Sequence, residues 1–191
     1  MQVSILCGGK SSRMQSEKGL VLYQNKPFIE HVITAVLPIS SNIQLITNTK
    51  DYDYLNYKIV KDIVLDKGPM GGIYSALANS DSELNLILSC DIPLISTEIL
   101  RELIEKHYAN FDVTVFEDED EEQMHPLIGI YSKTILPVLK KAIDDNDLKM
   151  MHFLTKVKTQ RIPIKNDKSQ FFKNINTLAE LNELNSNFIQ N

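Results

Sequence analysis

Several features that mark other classes of protein are missing from this sequence of 191 residues. It has only two cysteines, Cys7 and Cys90, which are too few for a disulfide framework and do not form a Cys-x-x-Cys pair. No run of 18 apolar residues occurs, so we expect no membrane span. The N-terminus enters an apolar run without a basic segment and an apolar signal core, so we expect no export signal. These absences predict a cytoplasmic protein.

An excess of positive charge is also missing. The net charge of −5 argues against broad nucleic-acid binding, because that needs a basic surface. The apolar content of 43% and the charged content of 24% are those of an ordinary globular protein. A chain of this length is most simply one domain, so we expect a single domain over residues 1–191.

One stretch near the N-terminus organises the rest of the chain. The apolar run from Val3 to Leu6 reads as a buried strand, and Gly8 and Gly9 follow it with the cations Arg13 and Lys18 further on. Backbone amides freed by glycines, together with cations, suit the oxygens and charge of a polyphosphate. The stretch therefore predicts a loop that binds a nucleoside triphosphate. A simple glycine turn with solvated cations is the alternative.

Two common phosphate loops do not fit this stretch. A P-loop ending in Gly9-Lys10-Ser11 would need another glycine at the position of Ser4. The dinucleotide fingerprint G-x-G-x-x-G would need a glycine at the position of Lys10.

Apolar runs of strand length alternate with helical patterns along the chain. This alternation predicts an α/β fold, a three-layer sandwich with a mainly parallel, Rossmann-like sheet. After the first strand, the predicted strands are Ile43 to Thr47, Lys58 to Val60, Leu84 to Ser89, Val113 to Phe116, Leu127 to Tyr131 and a short edge strand from Arg161 to Ile164.

Polar residues follow several of these strands. Asn48, Asp62 and Asp91 each come just after a predicted strand, as the Gly8-Gly9 turn does. Ligands of open parallel sheets bind beyond the carboxyl ends of the strands, so these residues are expected to converge. Because Mg²⁺ on nucleotide phosphates needs only one or two protein carboxylates, Asp91 is our candidate metal ligand. Its alternative role is to cap the turn into the next helix.

Three further motifs lie downstream. Gly68-Pro69-Met70-Gly71-Gly72 predicts a glycine turn that opens a helix, His125-Pro126 precedes an apolar strand, and Thr177 to Glu180 is a capping box. These motifs resemble those of the molybdenum cofactor guanylyltransferases. The resemblance extends to Leu6-Cys7-Gly8-Gly9, Arg13-Met14, Lys18, Cys90-Asp91-Ile92-Pro93 and Phe172-Lys173-Asn174-Ile175-Asn176-Thr177. This family, also called the MobA-like family, has the nucleotide-diphospho-sugar-transferase-like fold. The sequence departs from it at Cys7, Gln15 and Glu17, where the family usually has alanine, glycine and aspartate.

The resemblance implies an activity and a set of site residues. The activity is transfer of GMP from MgGTP to molybdopterin, giving the guanine dinucleotide cofactor and pyrophosphate, with Mg²⁺ as the cofactor. Transient contacts with cofactor-insertion proteins or molybdoenzyme chaperones are implied as well. The resemblance implies that Arg13, Lys18 and Asp91 act in catalysis and that Asp91 binds Mg²⁺. The residues implied to bind GTP are Leu6, Cys7, Gly8, Gly9, Lys18, Asn48, Asp62 and Asp91. Those implied to bind the pterin are Gly71, His125, Asn174 and Asn176.

Other functions remain open at this stage. A cytidylyltransferase acting on the same pterin has a similar fold, but its loop typically reads Ala-Ala-Gly where this chain has Cys7-Gly8-Gly9. A nucleotidyltransferase acting on a sugar phosphate would generally be longer. A catalytically silent nucleotide-binding protein is compatible with Gln15 in the phosphate loop.

Overall fold

The computed structural model describes residues 1–8, 17–119 and 123–188. The strands are β1 (Gln2–Leu6), β2 (Leu22–Tyr23), β3 (Lys26–Pro27), β4 (Ile43–Ile46), β5 (Lys58–Val60), β6 (Leu84–Ser89), β7 (Val113–Asp118), β8 (Met124–Ser132) and β9 (Thr159–Ile164). The α-helices are α1 (Phe28–Val36), α2 (Gly68–Ala78), α3 (Thr97–Lys106), α4 (Leu136–Asp144), α5 (Met150–Leu154) and α6 (Leu178–Phe188).

The main sheet has seven strands in the order β5-β4-β1-β6-β8-β7-β9. The pairs β5–β4, β4–β1, β1–β6 and β7–β9 are parallel, whereas β8 runs antiparallel to both of its neighbours. A short connection joins β7 to β8, and only antiparallel neighbours can be joined in that way. The predicted mainly parallel α/β sheet is therefore confirmed.

Helices cover both faces of this sheet. Ile5 packs with residues of α1 and α3, such as Val32 and Leu103, in one buried cluster. The next residue along the strand, Leu6, packs with α2 in the cluster on the opposite face. This alternation of successive side chains between two apolar layers produces the predicted three-layer sandwich.

The register of the parallel strands aligns their carboxyl ends. Leu6 lies opposite both Ile46 and Ser89, and Ile46 lies opposite Val60. Residues that follow β1, β4, β5 and β6 therefore share one edge of the sheet. Because β8 is reversed, its first residues, from Met124 onwards, also lie at this edge.

The glycine-rich segment that follows β5 differs from the prediction. It is the first part of α2 rather than a turn before a helix, with Pro69 in the first turn. Proline suits that position because its missing N–H has no partner in a helix there. A Cβ at Gly72 would lie 3.3 Å from Leu6 Cδ1, and one at Gly71 would lie 2.9 Å from the Val64 carbonyl oxygen. The glycines thus permit close packing of the helix.

None of the helices in the described part of the chain is both long and apolar enough to cross a membrane.

Candidate active site at the carboxyl edge of the sheet

Asp91 lies at the centre of a cluster of polar side chains just beyond β6. It is only 4% exposed, so its carboxylate needs hydrogen-bond donors in place of water. Oδ1 accepts hydrogen bonds from Ser89 Oγ and from Asn174 Nδ2, the latter at 2.9 Å, and Oδ2 lies 3.2 Å from Lys18 Nζ. Ser96 caps α3 instead, with its side chain accepting from Ile99 N. The helix-capping alternative for Asp91 is therefore not supported.

Lys18 contacts two oxygen atoms at once. Its Nζ donates to Asp91 Oδ2 at 3.2 Å and to Asn176 Oδ1 at 2.5 Å. The lysine side chain keeps 25% of its surface exposed, whereas that of Asp91 keeps 6%. The ammonium group therefore compensates the buried carboxylate while it remains accessible to a ligand at the edge of the sheet.

Tight packing beneath Lys18 fixes the segment that carries it. Lys18 begins a short 3-10 helix that ends at Leu20, and Gly19 inside it is buried. A Cβ at Gly19 would lie 2.8 Å from Tyr52 Oη and 3.2 Å from Cys90 Sγ. Burial raises the pKa of the Tyr52 phenol, so it stays neutral. Neither Gly19 nor Tyr52 belongs to a motif, so the sequence alone does not single them out.

Ser89 is a further residue of this cluster that was not predicted, although the sequence carries a signal for it. In an extended chain, residues two apart point to the same side. Ser89 lies two residues before Asp91, and the two side chains are hydrogen-bonded. A hydroxyl two residues before a candidate metal ligand is therefore a predictable hydrogen-bond donor to its carboxylate.

The two cysteines lie at the ends of neighbouring strands. Cys7 and Cys90 follow β1 and β6, and both are buried and free of disulfide bonds. Burial raises the pKa of the Cys7 thiol well above its usual value, so the thiolate needed for metal binding is disfavoured. Their interpretation as buried small apolar residues is supported.

Gly8 extends β1 into the site. It is exposed, and a Cβ built on it would have no other described atom within 4 Å. Its backbone is thus open to a ligand that lies across the end of the strand, next to Leu6 and Cys7. Gly9 and Arg13, the other predicted residues of this loop, lie outside the described residues, as Gln15 does.

Asn48 and Asp62 form a reciprocal pair at the ends of β4 and β5. Asn48 Nδ2 donates to Asp62 Oδ2 at 3.0 Å, and Asp62 N donates to Asn48 Oδ1 at 3.0 Å. Burial raises the pKa of Asp62, while the bond from Asn48 acts in the opposite direction. Neither residue has a hydrogen bond to Asp91 or Lys18 within the described chain. They form a second polar group along the same edge.

His125 occupies the far side of this edge, at the beginning of β8. Its Nε2 lies 2.9 Å from Asp118 Oδ2, and its ring centroid lies 5.1 Å from that of Phe172. Phe172 also packs edge-on against Phe116, with 4.8 Å between ring centroids. His125 is thus oriented by a carboxylate and by an aromatic ring. Gly71 lies apart from it, inside α2 against the Val64 carbonyl group.

The segment before α6 brings two predicted pterin residues to Asp91 and Lys18. Asn174 bonds to Asp91, and Asn176 bonds to Lys18. The predicted capping box follows directly: Glu180 N donates to Thr177 Oγ1 at 3.2 Å, and Glu180 Oε2 accepts from Thr177 N at 2.9 Å. Backbone N–H donors, above all that of Asn176, lower the pKa of Glu180.

In the described residues, no three histidine, cysteine, aspartate or glutamate side chains lie close enough to hold a metal ion by themselves. A metal at Asp91 would therefore take most of its remaining ligands from substrate oxygens and water, as phosphate-bound Mg²⁺ does.

Solved structures share the fold. Molybdopterin-guanine dinucleotide biosynthesis protein A from Archaeoglobus fulgidus matches with a TM-score of 0.83, 22% identity and full coverage of both chains. A CMP-2-keto-3-deoxy-manno-octonic acid synthetase, solved with CTP, matches with a TM-score of 0.73 at 13% identity, over 99% of this chain and 98% of the other. At these identities the likeness concerns the fold alone.

Similarity in sequence identifies the family more specifically than similarity in fold does. Residues 3–160 match the family model of the MobA-like NTP transferase domain. A protein of Flavobacterium johnsoniae, named a probable molybdenum cofactor guanylyltransferase, is 61% identical over 96% of this chain and 95% of its own length. The molybdenum cofactor guanylyltransferase of Vibrio vulnificus is 32% identical over 94% of this chain and 92% of its own. The chain belongs to the molybdenum cofactor guanylyltransferase family of MobA-like nucleotidyltransferases.

Proposed function

We propose that this protein transfers GMP from MgGTP to the terminal phosphate of molybdopterin, releasing pyrophosphate. The family membership supports the activity. The observation that carries the assignment of the site is the contact of Lys18 with both Asp91 and Asn176 at the carboxyl edge of the sheet.

The reaction requires positioning and charge neutralisation more than proton transfer. A phosphate oxygen of the pterin is already ionised at neutral pH, and it attacks the α-phosphorus of GTP. The bond from the α-phosphorus to the oxygen that bridges to the β-phosphate breaks, and that oxygen leaves with pyrophosphate. Negative charge grows on the leaving group, so a cation fixed beside it lowers the barrier. Lys18 would supply that charge, together with Arg13.

The residues around Asp91 fit a magnesium ion. Asp91 Oδ2 and Asn176 Oδ1 already converge on one cation, the Lys18 ammonium, and both are oxygens of the kind that Mg²⁺ prefers. Asp91 would hold the ion, whose chemistry when bound is to neutralise phosphate charge. Ser89 and Asn174 orient the carboxylate by bonding to Oδ1, which leaves Oδ2 directed at the cation.

The nucleoside would lie along the end of β1. The backbones of Leu6, Cys7, Gly8 and Gly9 would contact the base, and the Asn48–Asp62 pair would contact the guanosine. The open backbone at Gly8 supports this placement, because a base can approach it without meeting a side chain.

The pterin would bind on the opposite side of Asp91. His125 supports this because Asp118 and Phe172 orient it at the shared edge. Asn174 and Asn176 would contact the pterin from the segment before α6, and Gly71 remains a candidate for the same role. Transient contacts with cofactor-insertion proteins or molybdoenzyme chaperones belong to this proposal as well.

The experiment that tests the function supplies purified protein with molybdopterin and either MgGTP or MgCTP, and measures pyrophosphate. We expect pyrophosphate release that depends on both GTP and the pterin, with formation of the guanine dinucleotide. Release with CTP at a higher kcat/KM than with GTP would contradict guanine transfer. No release with either nucleotide would contradict catalysis itself.

A further inference from the structure

The segment Asn174–Asn176 contacts the Lys18–Asp91 pair at three points. Asn174 Nδ2 donates to Asp91 Oδ1 at 2.9 Å, and Ile175 N donates to the Asp91 carbonyl oxygen at 2.9 Å. Asn176 Oδ1 accepts from Lys18 Nζ at 2.5 Å. The position of this segment therefore decides where the carboxylate and the ammonium group meet.

Ile175 fixes one side of the segment by packing. Its side chain is fully buried in a small apolar cluster with Tyr23, Phe28, Leu181 and Leu184. This cluster joins the segment to α6 and to the hairpin that follows Lys18. It does not by itself orient Asn176, whose side chain points from the same turn toward the lysine.

Glu180 provides the second attachment. Its Oε2 accepts from Thr177 N at 2.9 Å, which is the bond that a capping box requires. The same oxygen also accepts from Asn176 N at 2.7 Å, a bond that the cap does not need. This additional bond ties the carboxylate of α6 to the residue that contacts Lys18.

We propose that Glu180 is a positioning residue of the active site. Its carboxylate holds the backbone of Asn176, and through the Asn176 side chain it sets the location of the Lys18 ammonium group relative to Asp91. The inference rests on the proposed function for the roles of Lys18 and Asp91. Since a misplacement of about 1 Å can reduce a rate by about 100-fold, one lost bond here has a large effect.

The capping box offers a matched control. Thr177→Ala and Glu180→Ala each remove one half of the box, so both should lower the Tm of the protein. Only Glu180→Ala removes the acceptor of Asn176 N. Glu180→Gln is the conservative variant, because both bonds go to a single oxygen that the glutamine amide can replace.

Three measurements on the full chain separate positioning from capping. Thermal unfolding reports stability, amide hydrogen exchange at Ile175 reports the attachment of the segment to Asp91, and steady-state kinetics with MgGTP and the pterin report turnover. We expect Glu180→Ala to speed exchange at Ile175 at least tenfold and to lower kcat at least tenfold. In Thr177→Ala and Glu180→Gln, the exchange rate at Ile175 and kcat should each change by less than threefold, although Thr177→Ala also lowers the Tm.

Equal exchange and equal kcat in the two alanine variants would overturn the proposal, because capping alone would then explain Glu180. Faster exchange in Glu180→Ala with unchanged kcat would overturn it as well, since the attachment would have no effect on the reaction. The exchange measurement does not depend on the activity. If the parent protein transfers no nucleotide at all, the proposed function fails, while exchange at Ile175 still decides whether Glu180 fixes the segment.

Discussion

The carboxylate of Asp91 is surrounded by side-chain donors that make its charge tolerable in a buried position. Lys18 is the one cation among the partners described for it, and Ser89 and Asn174 supply neutral donors. A buried carboxylate with one cationic partner is a costly arrangement, and charged groups of this kind are concentrated at functional sites. Two predictions at the scale of single residues follow from this geometry.

Asp91→Asn should abolish most of the activity and leave the fold intact. Asparagine keeps the size and one acceptor oxygen, so Ser89 and Asn174 retain a partner. The negative charge that would bind Mg²⁺ is lost, and we expect turnover to fall by about 10²-fold or more, with partial recovery at high Mg²⁺. Initial rates across a Mg²⁺ titration check this. Asp81→Asn is the control, because Asp81 is exposed and lies just before the amino end of β6. A parent-like rate in Asp91→Asn would contradict the metal assignment.

Lys18→Ala should reduce both turnover and stability. Removal of the ammonium group leaves Asp91 buried without a cation, which costs about 1–3 kcal/mol. The double variant Lys18→Ala with Asp91→Asn should be more stable than Lys18→Ala alone, because the uncompensated charge is gone. Urea unfolding of the parent and the three variants measures this coupling.

Lys58→Ala is the matched control for Lys18→Ala. It removes a lysine that donates to Asn79 O at 3.0 Å from the opposite end of the sheet, and we expect it to leave turnover unchanged. If the double variant is no more stable than Lys18→Ala, the ion pair does not stabilise the fold. A Lys18→Ala protein that retains full turnover would remove Lys18 from the catalytic group.

At the scale of elements, the short helix Lys18–Leu20 depends on the absence of a side chain at Gly19. Gly19→Ala would place a methyl group 2.8 Å from Tyr52 Oη. Such overpacking costs about 1–3 kcal/mol and displaces Lys18 from Asp91, so we expect loss of both stability and turnover. Adding Tyr52→Phe removes the hydroxyl and should restore part of each. Thermal unfolding and initial rates test this, and Tyr52→Phe alone serves as the control.

If the double variant has the same Tm and the same initial rate as Gly19→Ala, contact with Cys90, rather than with Tyr52, limits the space at this position.

The end of α3 makes stability depend on pH. His107 Nδ1 lies 2.8 Å from Thr114 Oγ1, and that hydroxyl donates to Gln160 Oε1, so the histidine is the donor. Its Nε2 is buried without a hydrogen-bond partner among the described residues, and burial lowers the pKa of His107 below 6.5. His107 is therefore protonated at a higher pH in the unfolded chain than in the folded one. The free energy of unfolding consequently falls as the pH drops below about 6.5.

His107→Asn should flatten this dependence, because asparagine can donate to Thr114 but cannot be protonated. Urea unfolding of parent and variant at pH 5, 6, 7 and 8 checks the prediction, with each compared against its own value at pH 8. His152→Asn, an exposed position, is the control. Parallel curves for the parent and His107→Asn would show that His107 does not contribute to acid sensitivity.

At the scale of the whole molecule, binding of the nucleotide should be visible as stabilisation of the fold. A ligand present at 100 times its Kd stabilises the folded state by about 2.7 kcal/mol, which is about 5–10 °C in Tm for a protein of this size. We expect MgGTP to raise Tm by more than MgCTP or MgATP at matched concentration. Differential scanning calorimetry checks this. Equal shifts for all three nucleotides would contradict guanine selectivity.

Local patterns in the sequence predict the layers, most of the strands and the edge of the sheet that carries the candidate site. Period-2 and period-3.6 apolar patterns are local, so runs such as Leu84 to Ser89 identify strands without knowledge of their neighbours. The predicted edge strand at the end of the sheet is present as Thr159–Ile164. Asp91 is a candidate from the sequence alone because it follows an apolar strand and Pro93 comes two residues later.

The contacts between side chains, in contrast, depend on how the elements pack. The contact between Lys18 and Asn176 joins residues 158 positions apart, and no local pattern encodes such a pairing. The fit of Gly19 against Tyr52 depends on two loops that pack together, and the glycines of α2 are explained by contacts with Leu6 and with the Val64 carbonyl group. Local propensity determines elements, but the distances between functional groups are set by the packing of elements that are remote in the sequence.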